Sequence, residues 1–260
     1  MSTTSGAAGT RPRTLAAAAV AVVAAAVAIA SCGGTGTTTP AAPTSAPAGS
    51  AAAPSATSLQ ARFVDVIDRV SPAVVEIRTS AGLGSGVVFD GRGDVVTNAH
   101  VVAGAQTATV RLHDGRQVRA SLVGVDRGDD LAVIRMAGAS PSPARFADST
   151  GVRVGDLAIA IGNPLGLASS VTQGIVSSVG RQVSEGNGVT LESAIQTSAD
   201  INPGNSGGAL VDLDGGVIGI PTLAALDPDL GDAQAPGIGF AIASNHVTQV
   251  AKQIIARDGG

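Results

Sequence analysis

From residue 73 onward the chain consists of short runs of Val, Ile, Leu and Ala in which apolar positions recur with a period of two. That period is typical of β-strands with one buried face, and the runs are too short for most helices. Gly and Asp separate several runs, as at 90–94, 113–116 and 214–216, and these residues are typical of tight hairpin turns. The pattern therefore predicts an all-β domain with antiparallel strands.

Six candidate strands precede a Ser- and Pro-containing connector at 137–143, and six follow it. Six plus six antiparallel strands favour two closed six-stranded barrels, because closure removes exposed sheet edges. We expect one barrel over about 73–140 and the other over about 151–243. The predicted strands are Ala73–Thr79, Gly86–Phe89, Val95–Thr97, Ala108–Leu112, Gln117–Val125, Leu131–Met136, Leu157–Ile161, Gly174–Val179, Leu191–Gln196, Gly208–Asp212, Val217–Thr222 and Gly237–Ala243.

A short helix is predicted at each end of this domain, which as a whole spans 59–257. Apolar residues recur at helical spacing over 59–70, and Ser58 is the candidate N-cap. At the other end, Ser244 is the candidate cap and Gly259 the stop signal. The apolar stripe of this second helix is Val247, Val250, Ala251, Ile254 and Ile255.

The composition limits the core and the partners. Four Phe are the only aromatic residues, so the core must be aliphatic. The net charge of −4 gives no sign of a basic nucleic-acid-binding surface. The single cysteine, Cys32, excludes an internal disulfide framework and a Cys-based metal site. No cofactor or metal is expected.

The N-terminus has the pattern of a secretory signal. Arg11 and Arg13 precede an apolar run of 16 residues, Leu15–Ala30, of which 10 are Ala. As a helix this run would be about 24 Å long, short of the roughly 30 Å hydrocarbon core of a bilayer. We therefore expect residues 1–31 to be a signal peptide.

The end of that signal, Ile29-Ala30-Ser31-Cys32, resembles the lipobox of bacterial lipoproteins. The resemblance implies that Cys32 is lipidated and becomes the mature N-terminus, which would hold the protein at a membrane. The alternatives are a plain signal peptide or an uncleaved anchor. Residues 32–58 are rich in Thr, Ser, Ala, Gly and Pro without apolar periodicity, which predicts a disordered tether.

The strongest candidate nucleophile is Ser206, within Asn202-Pro203-Gly204-Asn205-Ser206-Gly207-Gly208. A serine hydroxyl needs an adjacent base and amide donors for the developing oxyanion. We expect the backbone N–H groups of Gly204 and Ser206 to supply the latter. Gly207 and Gly208 are interpreted as leaving room for a substrate backbone.

Gly-x-Ser-x-Gly alone is also the nucleophile elbow of α/β-hydrolases. In that alternative Asp227 would be the acid and His246 the base, both after the serine. The segment after Ser206 offers one helix and no alternation of strands and helices, which argues against it.

His100, at the end of a predicted strand, is the candidate base, while His113 and His246 are interpreted as structural. Asp130 opens a predicted buried strand, where a carboxylate can orient a histidine. Asp126 and Asp129 compete with it for that role. The order His100, Asp130, Ser206 is that of chymotrypsin-like enzymes, and it places the site in the cleft between the barrels.

Several segments look like the HtrA/Deg proteases, a trypsin-like serine protease family, over about residues 59–255. They are Gly82–Val88, Thr97–Val102, Asp130–Val133, Ile161–Gly166, Thr172–Ser177, Asn202–Gly208 and Gly237–Ile242. The resemblance implies that Asp130, not Asp129, is the triad acid. It also implies an endopeptidase acting on unfolded or damaged proteins of the bacterial envelope, and a possible homotrimer. The alternative is a non-cleaving module, chaperone-like or pseudo-protease, that binds the same clients.

The chain departs from the family at several points. HtrA proteins usually continue into PDZ domains, so peptide capture through a PDZ domain is not expected within these 260 residues. Ser198 stands where the family often has Asp, and Pro221 where it usually has Asn. Asp200 stands where a small residue is usual. In trypsin-like enzymes an acid there lines the S1 pocket and selects Arg or Lys, whereas HtrA proteases favour small aliphatic P1 residues. Asp200 turning outward or pairing with Arg181 is the other reading.

Overall fold

The computed structural model describes residues 56–80, 82–138, 141–163, 170–184, 190–202, 204–227 and 233–258. The expected signal peptide, Cys32, Gly259 and nearly all of the expected tether lie outside these residues and stay predictions. Neither of the two α-helices in the described part has the length and apolar character needed to cross a membrane.

The described chain contains two 15-residue α-helices and twelve strands. Short 3₁₀ turns occur at Ser71–Ala73, His100–Val102 and Ser149–Gly151. The helices are α1, Ala56–Val70, and α2, Ser244–Asp258. The strands are β1 Val74–Arg78, β2 Leu83–Val88, β3 Asp94–Asn98, β4 Thr107–Arg111, β5 Gln117–Asp126, β6 Leu131–Met136, β7 Leu157–Gly162, β8 Ser170–Ser184, β9 Thr190–Thr197, β10 Ala209–Val211, β11 Val217–Asp227 and β12 Ala233–Ala243.

The strands close into two barrels of six, both fully antiparallel, which confirms the predicted fold class. In the first barrel the order is β1-β2-β3-β6-β5-β4, and in the second it is β7-β8-β9-β12-β11-β10. The second order repeats the first with every strand number raised by six. The two barrels therefore share one strand topology.

Alternation along the strands distributes the aliphatic side chains between separate cores. In β7, Ala158 and Ala160 point into the second barrel, whereas Ile159 and Ile161 join a core shared by both barrels and both helices. In β6, Leu131 and Val133 likewise enter the shared core. A period of two sends neighbouring residues to opposite faces, so each of these strands serves two cores at once.

Several strands extend beyond their predicted limits. β8 begins at Ser170 and ends at Ser184, where the sequence indicated 174–179, and β12 begins at Ala233 rather than Gly237. The added residues are mostly small or polar and carry no apolar alternation. Backbone hydrogen bonds to neighbouring strands hold them, a tertiary effect that the local pattern does not report.

The two helices form as expected, but their predicted caps are wrong. α1 begins at Ala56, so Ser58 lies in its first turn rather than before it. The Ser244 hydroxyl donates to the Ala147 carbonyl at 2.6 Å and so links α2 to the segment between β6 and β7 instead of capping the helix. The predicted apolar stripe of α2 packs into the shared core.

Candidate active site

Two neighbouring strands of the first barrel bring His100 and Asp130 together. His100 opens the 3₁₀ turn after β3, and Asp130 immediately precedes β6. β3 and β6 pair antiparallel with Asn98 opposite Leu131, so the end of one strand faces the start of the other. Two side chains that are 30 positions apart in the chain are thereby brought into direct contact.

The contact is the one that an orienting acid makes with a base. His100 Nδ1 lies 2.8 Å from Asp130 Oδ2, and the His100 backbone N–H donates to Oδ1 at 3.0 Å. The Asp130 side chain is only 4% exposed, whereas that of His100 is 50% exposed. A buried carboxylate at this distance fixes the tautomer with the proton on Nδ1 and leaves Nε2 as the basic nitrogen.

The competing acids lie elsewhere. Asp126 Oδ1 accepts the backbone N–H groups of Gly128 and Asp129 and so closes the turn before Asp130. The Asp129 carboxylate faces away from His100 and contacts His246 Nε2 at 2.9 Å. This contact also removes the hydrolase alternative, since His246 is bound on the first barrel and the fold is not α/β.

Thr222, in β11, is a site residue that the sequence reasoning missed. Its hydroxyl donates to Asp130 Oδ2 at 2.6 Å across 92 residues of chain. Its backbone carbonyl lies 3.5 Å from the Ser206 hydroxyl. One residue of the second barrel therefore touches both the acid and the nucleophile, and only the closed fold reveals it.

Ser206 lies in the loop between β9 and β10 and is 7% exposed. Its hydroxyl donates to the carbonyls of Asn202 at 3.4 Å and Thr222 at 3.5 Å, both at the long limit for a hydrogen bond. The loop is fastened to the first barrel by Ser85, whose hydroxyl donates to the Gly204 carbonyl at 2.8 Å. The Ser85 N–H donates to the Ser206 carbonyl at 3.0 Å.

The expected oxyanion donors are not both available in this structure. The Gly204 N–H donates to the side-chain oxygen of Asn202 at 3.0 Å, closing an Asx turn within the loop. A substrate oxygen can use this donor only after the Asn202 side chain gives it up. The local motif gave no sign of this internal competition.

The two glycines after Ser206 are also required within the protein itself. A Cβ on Gly207, which has φ +80°, would lie 2.3 Å from the Ser85 carbonyl oxygen, and one on Gly208 would lie 2.3 Å from that of Ile161. Close approach of the protein's own backbone is therefore sufficient to explain both glycines, and the approach of a substrate backbone stays a prediction.

Asp200 is exposed, between the buried residues Ala199 and Ile201. It lines a pocket of about 270 Å³ together with those neighbours and residues 235–239. Its backbone carbonyl accepts from Asn205 Nδ2 at 2.8 Å, which connects the pocket wall to the nucleophile loop. Within the described residues its carboxylate has no hydrogen-bond or ion-pair partner, and Arg181 is not paired with it.

Pro221 and Ser198 have defined local roles. Pro221 is buried in β11 opposite Ala241, next to a register shift, and its carbonyl accepts the Gly207 N–H at 2.9 Å. An irregular position tolerates the missing N–H of proline. The Ser198 hydroxyl accepts the Ile175 N–H at 3.0 Å.

Comparison with known proteins agrees with this architecture. Residues 84–220, which include His100, Asp130 and Ser206, match the family described as the trypsin-like peptidase domain. The chain is also similar to a solved HtrA-type protease, AlgW with tripeptide, at 42% identity and a TM-score of 0.68, covering 76% of this chain and 64% of that one.

Curated relatives carry related names. The periplasmic serine endoprotease DegP of Escherichia coli K12 is 50% identical over 175 residues, which cover 66% of this chain and 36% of DegP. The serine protease PepD of Mycobacterium tuberculosis is 39% identical over 241 residues, covering 84% and 52%. The chain thus spans between about a third and about half of these relatives. The matched region and the shared fold show that the chain belongs to the trypsin-like peptidase family and is similar to its HtrA-type members.

Proposed function

We propose that the protein is a serine endopeptidase with His100, Asp130 and Ser206 as its triad. The observation that carries the proposal is the buried Asp130 carboxylate, which contacts His100 Nδ1 at 2.8 Å and shares Thr222 with the nucleophile loop. Serine protease names among the relatives support the same reaction.

In the proposed reaction Ser206 Oγ attacks a peptide carbonyl carbon and passes its proton to His100 Nε2. Asp130 stays ionised and stabilises the imidazolium. The imidazolium then protonates the leaving amine as the C–N bond breaks, which leaves an acyl-enzyme. Water, deprotonated by the same nitrogen, attacks the ester and releases the acid and free Ser206.

The Gly204 and Ser206 N–H groups are proposed to bind the oxyanion. The Asn202 side chain occupies the Gly204 N–H, so substrate must replace one acceptor with another. An oxyanion donor contributes roughly 10²- to 10³-fold to kcat in related chemistry. The exchange therefore favours a ligand whose oxygen carries developing negative charge over a neutral ground-state carbonyl.

Unfolded or damaged envelope proteins are the proposed substrates, following the resemblance to HtrA proteases. The test is turnover of an unfolded protein such as casein by wild type and Ser206→Ala, with a tightly folded protein as control substrate. We expect the wild type to degrade casein and leave the folded protein intact, and Ser206→Ala to cleave neither protein. If the wild type and Ser206→Ala bind casein equally and neither cleaves it, the non-cleaving module is favoured.

For substrate choice we propose a small aliphatic P1 residue. Ala199, Ile201 and Ile238 give the pocket apolar walls, and an exposed Asp200 retains its hydration without a cationic partner. Paired peptides that differ only in P1 Val or P1 Arg decide the point. Wild type and Asp200→Ala should both cut the Val peptide. A preference for Arg that Asp200→Ala abolishes would instead place Asp200 in the S1 site.

We also propose an extracytoplasmic location with Cys32 lipidated, supported by the signal-like N-terminus and by the word periplasmic in the names of relatives. A diacylglyceryl cysteine carries enough chains for stable anchoring, which one acyl chain does not provide. Cys32→Ser should leave the protein uncleaved or soluble. Mass spectrometry showing an unmodified Cys32 in the wild type would refute this.

A homotrimer is proposed from the family resemblance alone. Light scattering on the detergent-solubilised protein gives the mass directly. A monomeric mass at micromolar concentration would argue against the trimer without affecting the proposed chemistry.

A further inference from the structure

The backbone of Asp130 is held in an unfavourable conformation. It is the only non-glycine residue with positive φ in the described part of the chain, at +50°. Such a conformation persists only where the surroundings determine it. The direction of the Asp130 side chain depends on the two peptide planes that flank its Cα, so both planes must be fixed to aim the carboxylate at His100.

The plane after Asp130 is fixed by β3. The Asp130 carbonyl accepts the Ala99 N–H at 3.0 Å and the Asn98 side-chain amide at 3.1 Å. These bonds lie at the junction where β3 and β6 begin to pair.

The plane before Asp130 is formed by the Asp129 carbonyl and the Asp130 N–H, and within the described part of the chain it is positioned only through Asp129, which two contacts hold. Its N–H donates to Asp126 Oδ1 at 3.2 Å. Its carboxylate Oδ1 lies 2.9 Å from His246 Nε2, with side chains 25% and 35% exposed respectively. Asp129 and Asp130 thus point in opposite directions, one to His246 and one to His100.

The nature of the His246 contact follows from its geometry. Nε2 is buried and makes no hydrogen bond of normal geometry within the described residues, so its 2.9 Å approach to the Asp129 carboxylate is a close polar contact. Glu192 lines the same small cleft, with its carboxylate bound to Gln182.

His246 is itself rigidly placed. It is the third residue of α2, whose next apolar residue, Val247, is completely buried. Although α2 follows the second barrel in the chain, it packs on β5 and β6 of the first, on either side of the turn that carries Asp129. The helix therefore offers a firm anchor for that turn.

We propose that His246, acting through Asp129, is a positioning residue for the Asp130 carboxylate. Without the contact, the peptide plane between Asp129 and Asp130 is released and Asp130 relaxes toward negative φ. That rotation turns its carboxylate away from His100 Nδ1. The expected loss of kcat rests on the proposed function, whereas the expected rotation of the Asp130 carboxylate does not.

The test uses His246→Ala and Asp129→Ala in the full chain, with Asp114→Ala as matched control. Asp114 forms an exposed ion pair with Arg116 in the β4–β5 hairpin of the same barrel. We expect the first two variants to lower kcat by between about tenfold and about a hundredfold with KM nearly unchanged, because small displacements of catalytic groups have effects of this size. Asp114→Ala should match the wild type.

A spectroscopic readout separates positioning from a general loss of stability. The proton on His100 Nδ1 should give a far-downfield resonance in the wild type and the control, and it should shift upfield or broaden in both variants. His246→Gln keeps a polar amide near the Nε2 position and should restore the resonance and most of kcat. Asp129→Ala removes the same contact from the other side and keeps the test valid if His246→Ala does not fold.

An unmoved His100 resonance in folded His246→Ala or Asp129→Ala would overturn the proposal, even if kcat falls. If the wild type cleaves no substrate, the proposed function fails, yet the resonance still decides whether His246 positions Asp130. The two failures are therefore distinguishable.

Discussion

At the scale of single residues, the hydroxyl of Thr222 is one of three donors that replace the lost hydration of the buried Asp130 carboxylate. Thr222→Val keeps the shape and removes this donor. A hydrogen bond to a buried charge contributes about 1.5–3 kcal/mol, so we expect kcat/KM to fall by roughly 10- to 100-fold. Thr222→Ser should retain most activity, and steady-state kinetics on one peptide compares the three. Equal activity of the Val and Ser variants would contradict this role.

Asp130→Asn tests the acid itself. An amide in this place donates to the imidazole and imposes the wrong tautomer, which lowers kcat by about 10⁴ in enzymes with this triad. We expect a loss of that order in peptide hydrolysis, with unchanged far-ultraviolet circular dichroism. A loss below about tenfold would show that Asp130 does not orient the base.

The site residues divide by how locally they are encoded. His100, Asp130 and Ser206 each lie in a short motif at the end or start of a predicted strand, so their roles could be predicted from the sequence. Thr222 lies outside the quoted motifs, and the segment that contains Ser85 suggested no role for it. Their roles arise from contacts across 92 and 119 residues of chain. The hydrogen bond from the Gly204 N–H to the Asn202 side chain was not predicted either, because a sequence motif does not show which of several acceptors a backbone N–H binds.

At the scale of elements, strand β7 and the nucleophile loop approach each other at Gly162. A Cβ there would lie 2.5 Å from Asn205 Cα and 2.6 Å from the Gly204 carbonyl oxygen. Gly162→Ala should therefore displace the loop and lower kcat by at least about tenfold. Gly151→Ala is the matched control, because a Cβ at Gly151 meets nothing within 4 Å. Similar activity of the two variants would contradict the packing argument.

The existence of the twelve strands was predictable because Val and Ile alternate along their central parts. Their ends were not, as β8 shows with four residues before Gly174 and five after Val179. Those residues pair through backbone hydrogen bonds, which form regardless of which side chains the residues carry. The predicted cap of α2 was wrong for a similar reason, since the Ser244 hydroxyl donates to the distant Ala147 carbonyl. The predicted cap of α1 was wrong because that helix begins earlier than its apolar pattern, at Ala56.

At the scale of the whole molecule, the shared core joins both barrels and both helices into one unit. Leu131, 1% exposed, lies in it directly after the candidate acid. Leu131→Ala should lower the unfolding free energy by about 2–5 kcal/mol and keep a single transition in denaturant. Leu59→Ala, at a position that is 41% exposed, should change it by less than about 0.5 kcal/mol. Two separate transitions would show that the barrels unfold independently.

The proposed reaction requires that Ser206 is a nucleophile activated by His100. The test is labelling with a fluorophosphonate that reacts only with activated serines, in the presence of an unfolded protein, followed by peptide mapping. We expect one adduct, on the peptide that contains Ser206, and none in His100→Ala or Ser206→Ala. An adduct on another serine, or equal labelling of Ser206 without His100, would contradict the proposed triad.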